Sequence, residues 1–192
     1  MIKRAIYSIL LILITSLQVM GLPYCDVRKF SIIDGLAANT ISGITQTPDR
    51  LMWFSTWNGI SYYDGNSFHT FRDEADDIDL LSTNRFMDVY ATSRNNVWCI
   101  TAGRHLYAYE TILCTFVPVG DNINKLYNID LRVDKIYPIN QGNTWVTTKS
   151  GDYLIRINGL QREGNIPELI KVGQDGLRSG NVWHIWADKK KR

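Results

Sequence analysis

The alternation of apolar and polar positions is clearest between Leu51 and Gly65. Leu51 to Thr56 is apolar and β-prone, Asn58-Gly59 is a hairpin turn, Ile60 to Tyr63 is a second strand, and Asp64-Gly65 turns again. Ser67 to Phe71 then alternates as a third strand. The unit recurs. Trp98 to Thr101 leads through Gly103 into Leu106 to Glu110, and Trp145 to Thr148 leads through Ser150-Gly151 into Tyr153 to Ile157. Trp53, Trp98 and Trp145 stand 45 and then 47 positions apart. A period of about 40–50 residues with several short strands per unit predicts the blades of a β-propeller. The expected fold is all-β, a partial propeller of about three and a half four-stranded blades after an N-terminal signal peptide.

Residues 1–21 read as that signal. Lys3-Arg4 supplies the positive start, Ala5 to Leu17 an apolar core, and Gly21 a small residue where cleavage fits. The core is short for a membrane span of ~20 residues, and an uncleaved anchor is the alternative. Leu22-Pro23-Tyr24-Cys25 resembles a lipid-attachment box only loosely, because Tyr24 is too large for that processing. Lys29 to Ile33 alternates as a short strand, of the kind that completes the last blade of a closed ring and removes an exposed edge. Residues 22–192 form the expected incomplete propeller, with blades at about 36–72, 84–118 and 131–172 and the start of a fourth at 175–192.

Within these repeats the inner strands begin at Ile41, Phe86 and Val133. The outer strands are Ser67 to Phe71, Leu113 to Val117 and, in the third, Glu168 to Val172. Pro118 to Asp130 reads as a longer connection, and Arg72 to Ser82 as an acidic loop. Asp175-Gly176-Leu177 echoes Asp34-Gly35-Leu36, and Val182 to Ala187 is the expected inner strand of the fourth repeat. By register the next tryptophan falls two positions beyond Arg192, so the chain is expected to be a fragment: a propeller closes with four to eight blades.

Composition adds limits. The chain has 192 residues, 45% hydrophobic and 21% charged, which is globular. Its formal net charge of +2 depends on the basic run Lys189 to Arg192; without those four residues it would be slightly acidic, so the charge does not imply nucleic acid. Three cysteines make no disulfide framework. Cys25 sits at the processed end. Cys99 and Cys114 fall on the second and fourth strands of one blade, separated by the third, and are expected as buried small hydrophobes.

The repeat resembles the two-component regulator propeller repeat, whose pattern is roughly Gly-Leu, an inner strand, a turn, Leu-Trp-Ile-Gly-Thr, Gly-Leu and Tyr-Asp-Gly. Here it reads Asp34-Gly35-Leu36, Ile41 to Ile44, Leu51-Met52-Trp53-Phe54-Ser55-Thr56, Asn58-Gly59-Ile60 and Tyr63-Asp64-Gly65. The second and third repeats keep the Trp, the Thr three residues later and a Gly, but Tyr109-Glu110 and Ile155-Arg156 depart from Tyr-Asp-Gly. The resemblance covers residues 29–192. It implies the periplasmic sensor part of a hybrid histidine kinase of the gut Bacteroides type, which binds glycan fragments. It also implies further blades, a β-sandwich, a membrane span, and a dimer when full-length. The kinase itself is outside this chain, so the chain is expected not to be an enzyme.

Candidate chemistry is sparse. His69, His105 and His184 have no metal-ligand spacing, and no metal or other cofactor is expected. Asp73, Glu74, Asp76, Asp77 and Asp79 share one acidic loop, read as solvated, with a calcium site as the minor alternative. Aligning the repeats on their tryptophans puts Ile41, Phe86, Val133 and Val182 in one column, and Ile44, Val89, Ile136 and Ile185 in another. Both are expected to pack between blades. The column between them, Gly43, Asp88, Lys135 and His184, is too polar to be buried without partners and is expected to face the central channel. Water contacts or an Asp88–Lys135 ion pair there stand against ligand contact. Trp57 lies in a turn where Ala102 and Lys149 hold the matching places, so it suits stacking on a sugar or a partner; packing under a loop is the alternative. Its expected neighbours are Asn39 and Arg85. Trp53, Trp98 and Trp145 are expected as core wedges, Thr56, Thr101 and Thr148 as ties between strands, and Gly59 and Gly151 as turn residues. The reading that follows is a periplasmic glycan-sensing propeller with no nucleic-acid partner. A protein-interaction scaffold and a propeller lyase or hydrolase are its rivals.

Overall fold

The computed structural model describes residues 26–72, 83–92, 96–140, 143–159, 166–174, 176–179, 181–182 and 184–185. Residues 1–25, which hold the expected signal sequence and Cys25, the expected acidic loop at 73–82 and the basic end of the chain lie outside the described residues. The described chain forms three antiparallel four-stranded sheets, each a simple meander. Blade 1 is β1 (Ile41–Gln46), β2 (Met52–Thr56), β3 (Gly59–Tyr63) and β4 (Phe68–Phe71). Blade 2 is β5 (Phe86–Ala91), β6 (Asn96–Thr101), β7 (Leu106–Glu110) and β8 (Thr115–Val117). Blade 3 is β9 (Val133–Asn140), β10 (Asn143–Thr148), β11 (Tyr153–Asn158) and β12 (Glu168–Lys171). Strand β5 touches β1 and β2 on one side and β9 on the other, so successive inner strands lie side by side and the sheets fan from them.

The hydrophobic core lies between the sheets. Trp53 and Ile60 of blade 1 pack against Phe86, Val89, Val97, Cys99, Tyr107 and Tyr109 of blade 2. Trp53 is fully buried, with ring centroids 5.0 Å from Tyr62 and 5.1 Å from Tyr109. Trp98 repeats the arrangement one blade later, in a cluster with Val133, Ile136, Val146, Ile155 and Ile157 of blade 3. Trp145 differs from the expectation of a core wedge. It is only half-buried, because no sheet among the described residues covers its face of blade 3, and the Arg156 guanidinium lies 5.8 Å above its ring. The same reasoning corrects the column of Ile44. Val89 and Ile136 are 3% exposed, but Ile44 is 56% exposed, since its face of blade 1 meets no neighbouring sheet among the described residues.

The threonines tie strands as expected. Thr56 Oγ1 donates to Gly59 O at 2.8 Å and accepts from Asn58 N at 3.0 Å. Thr101 Oγ1 accepts from His105 N, and Thr148 Oγ1 bonds both N and O of Tyr153. Each closes the turn between the second and third strands of its blade. Gly59 is required there: its φ is 124°, and a Cβ would lie 2.6 Å from Phe71 O. Gly151, with φ 75°, serves the matching turn of blade 3.

Four local expectations are corrected. The segment read as a strand from Lys29 to Ile33 instead turns as a short 3-10 helix, Ile32–Asp34. Ser31 and Asp34 form a reciprocal capping box there, and side-chain capping of this kind competes with strand pairing. The segment lies on blade 1 through Phe30, 5.0 Å from the Tyr63 ring, and through Ala37 N donating to Ser61 Oγ. The connection after Pro118 contains a helix, α1 (Val119–Tyr127), whose Val119, Gly120 and Ile123 are buried. Its apolar positions recur every four residues, and Asn128 ends it in the left-handed conformation. Cys99 is buried and its thiol is pushed up by that burial, but Cys114 is exposed in the turn before β8. Finally, of the expected strand Val182 to Ala187, the described residues 182, 184 and 185 are not in a strand, and 183, 186 and 187 lie outside the described residues; a strand needs a ladder partner, and none is described beside them.

Trp53→Ala is expected to lower stability by about 3–5 kcal/mol, as for other buried large rings, and Trp145→Ala by clearly less; urea unfolding of both variants measures the difference. The turn at Asp64 gives a pH prediction. Backbone N–H groups of Ser67 and Asn66, each 2.8 Å from its Oδ1, hold the Asp64 carboxyl well below the usual range, helped by His69. A depressed carboxylate stabilises the fold above its unfolded pKa, and that contribution disappears as pH falls through the folded one. The stability gap between the wild type and Asp64→Asn is therefore expected to be full at neutral pH and to close below about pH 4, as read from urea midpoints.

Candidate functional site

One rim of the fan is built from two kinds of residue: the turn after the second strand of each blade, and the residue just before the next inner strand. Backbone bonds lace them together. Gly59 N donates to Asn84 O, Ala102 N to Arg85 O, Val133 N to Arg104 O and Lys149 N to Arg132 O, at 2.8 to 2.9 Å. The first and third of these bonds set β5 and β9 beside the turn of the preceding blade, and the other two tie the start of each of these strands to the turn of its own blade. The first pair on this rim is Trp57 with Arg85, the second His105 with Arg132, and the third Lys149 with Asn181.

Trp57 is 60% exposed. The Arg85 guanidinium sits 5.9 Å from its ring centroid, a cation–π contact that fixes the indole. Asn39 is also exposed, but its Oδ1 accepts from Ile32 N at 2.9 Å and so anchors the N-terminal turn. Arg85 is thus joined to Trp57, while Asn39 is engaged elsewhere. At the second pair, Arg132 Nη1 donates to Gly103 O and to His105 Nε2, the latter at 2.6 Å. On the other side of the ring, His105 Nδ1 lies 3.7 Å from Asp121 Oδ1 of α1.

The polar inner-strand column does not simply face an open channel. The Asp88 side chain instead reaches toward blade 1. A Cβ on Gly43 would lie 2.4 Å from Asp88 Oδ1 and 2.9 Å from Ser55 Oγ, so Asp88 fills the space that glycine leaves. Asp88 also accepts from its neighbour Val89 N and from the Tyr90 hydroxyl, at 2.6 Å. Burial, then this carboxylate, pushes Tyr90 up and keeps it protonated as the donor. Lys135 is exposed, and it lines a cavity of about 250 Å³ together with Thr147, Lys149 and Asn181. His184 is exposed nearby in sequence, two residues after Val182, another lining residue.

Sequence reasoning missed Lys149, Asn181 and Arg132 as members of this rim. The available signal was positional. Lys149 aligns with Trp57, and Asn181 and Arg132 align with Arg85 in the register of the repeats. Among the described residues no group of three or more His, Cys, Asp or Glu is placed to hold a metal. No helix among them is long and apolar enough to cross a membrane.

Comparison with protein-family models finds no match, and comparison with curated proteins finds none. Solved structures do share the architecture. The extracellular domain assigned to the hybrid two component system BT3049 of B. thetaiotaomicron matches 68% of this chain and 18% of its own, at 22% identity and a TM-score of 0.55. The extracellular domain of BT4673 from the same organism, assigned to a one component system, matches 81% of this chain and 22% of its own, at 19% identity and a TM-score of 0.56. A second structure of BT4673, there assigned to a hybrid two component system, has a TM-score of 0.52 at 16% identity. This chain spans about a fifth of the length of the structures it matches. What it shares with these extracellular domains is the fold: an all-β partial propeller of successive four-stranded blades.

Proposed function

We propose that this chain is the ligand-sensing propeller section of an exported two-component receptor that responds to glycan fragments in the periplasm. The observation that carries the reading is Trp57, a rigid indole left in solvent at a turn position where the other two blades carry Ala102 and Lys149, and framed by Arg85. An exposed aromatic ring costs solubility and offers a flat apolar face, which matches the apolar face of a pyranose. The shared fold with extracellular domains assigned to signalling systems supports the same reading.

In this scheme the chain binds and does not transform its ligand. Saccharide held on the rim favours one of two receptor arrangements, and the bias equals the difference in affinity for the two. The remaining blades, a β-sandwich and a second protomer would carry that bias through an inner-membrane span to a kinase. Calorimetry on the intact mature protein with a panel of oligosaccharides tests the proposal. Saturable binding is expected, and Trp57→Ala should weaken it at least about tenfold, roughly 1.4 kcal/mol. Turnover of the same saccharide would favour the lyase or hydrolase reading. Absence of any saccharide binding would leave the protein-interaction scaffold.

A further inference from the structure

We infer that Arg72 is a positioning residue for Trp57: it locks the backbone of the turn from which the indole projects. This rests on the reading of Trp57 as a saccharide platform and adds what holds that platform in place.

The argument starts in the turn. Thr56 Oγ1 donates to Gly59 O and accepts from Asn58 N, which closes the turn from within the hairpin. The Asn58 carbonyl is met from outside the hairpin, by Arg72 Nε at 3.0 Å. The same guanidinium donates through Nη2 to Ala37 O at 2.7 Å. One planar group therefore spans backbone carbonyls of two segments that are distant in the chain. The arginine stem runs against the turn itself. A Cβ on Gly59 would lie 2.9 Å from Arg72 Cγ and 3.2 Å from Ala37 Cβ, so the glycine makes room for this crossing.

The second carbonyl is a fixed anchor. Ala37 is buried, and its N–H donates to Ser61 Oγ of β3 at 3.0 Å. Ser61 Oγ lies 2.7 Å from Thr70 Oγ1 of β4, which in turn donates to Gly35 O at 2.8 Å. The N-terminal segment is thus seated on the last two strands of blade 1, and Arg72 ties the Trp57 turn to it. From blade 2, Gly59 N donates to Asn84 O at 2.8 Å, and the Arg85 guanidinium lies 5.9 Å from the indole centroid. The backbone of the turn is held from two sides, and a second arginine restrains the ring.

Arginine suits this geometry because its donors sit on separate nitrogens of a rigid plane. Nε and Nη2 can serve different carbonyls at once, whereas lysine presents every donor from a single nitrogen. A sugar that stacks on an indole already fixed does not have to order the turn as it binds, so less entropy opposes binding.

The test compares Arg72→Ala and Arg72→Lys with wild type in the intact mature protein, labelled with nitrogen-15 at its tryptophans. The heteronuclear NOE of the Trp57 indole N–H, assigned from its absence in Trp57→Phe, reports fast ring motion. It is expected to fall in both variants while the buried Trp53 and Trp98 keep their values. A residue that only supported the fold would move all of them. Calorimetry with cellohexaose, xylohexaose and maltohexaose reads the effect on binding. The saccharide that binds wild type is expected to bind Arg72→Ala at least about fivefold more weakly, with Arg72→Lys between the two. If Arg72→Ala does not fold, Arg72→Lys carries both measurements. An unchanged Trp57 NOE, or an affinity within about twofold of wild type where Trp57→Ala loses binding, would overturn the role of Arg72 and leave the sensing reading standing. If none of these saccharides binds wild type while the Trp57 NOE falls in the variants, the positioning role stands and the sensing reading falls.

Discussion

A four-stranded sheet has two faces and can bury neither alone, so the contact between successive sheets is what the rest of this molecule depends on. The second-strand tryptophans of blades 1 and 2 project onto the next blade, and the faces of blades 2 and 3 that meet them complete the contact. Trp53 and Trp98 are buried in this way at 0% and 1% exposure. Their indole Nε1 atoms find no acceptor among the described residues. Leaving such a donor unmet costs about 1–3 kcal/mol, less than the roughly 3–5 kcal/mol at stake in losing a buried large ring. Packing between blades outweighs hydrogen bonding at this position.

The same packing divides conserved tasks from variable ones along the repeat. Buried threonine hydroxyls close the turn of every blade, and backbone bonds hold each inner strand against that turn. With the backbone fixed, the side chain after each threonine is free to differ. It is Trp57, then Ala102, then Lys149. The residue before the inner strand is similarly Arg85 in blade 2 and Arg132 in blade 3. A rim assembled from such positions can vary from corner to corner without altering the core.

Two satellites complete the packing. The N-terminal segment lays Phe30 over Tyr63 and Phe68 and sends Gly35 O to accept from Thr70. Arg72 Nη2 donates to Ala37 O and secures the far end of that segment. Helix α1 covers the junction of blades 2 and 3: Ile123 enters the core, and the Tyr127 hydroxyl donates to Pro167 O. Both satellites lie outside the repeat, so the period of the tryptophans carries no information about them. For α1 a local signal existed in Val119, Ile123 and Tyr127, spaced by four. For the N-terminal segment the alternation of Phe30 and Ile32 imitated a strand, and the Ser31–Asp34 capping box prevailed.

The sequence by itself determined the repeat, its strands and its turns, because these follow from short-range chemistry: period-two alternation, Asn-Gly and Ser-Gly turns, and a threonine three residues after each tryptophan. It also singled out Trp57 and the column of Gly43, Asp88 and Lys135 as positions that depart from the repeat. Which members of a column are buried was decided only by tertiary structure. Val89 and Ile44 are equivalent by register, yet one is covered by a neighbouring sheet and the other is not. Likewise Asp88 is absorbed against Gly43, while Lys135 borders a cavity with Lys149, a residue twelve or more positions away across a strand pair. Burial and charge pairing belong to the contacts between blades, and a single chain read in order does not contain them.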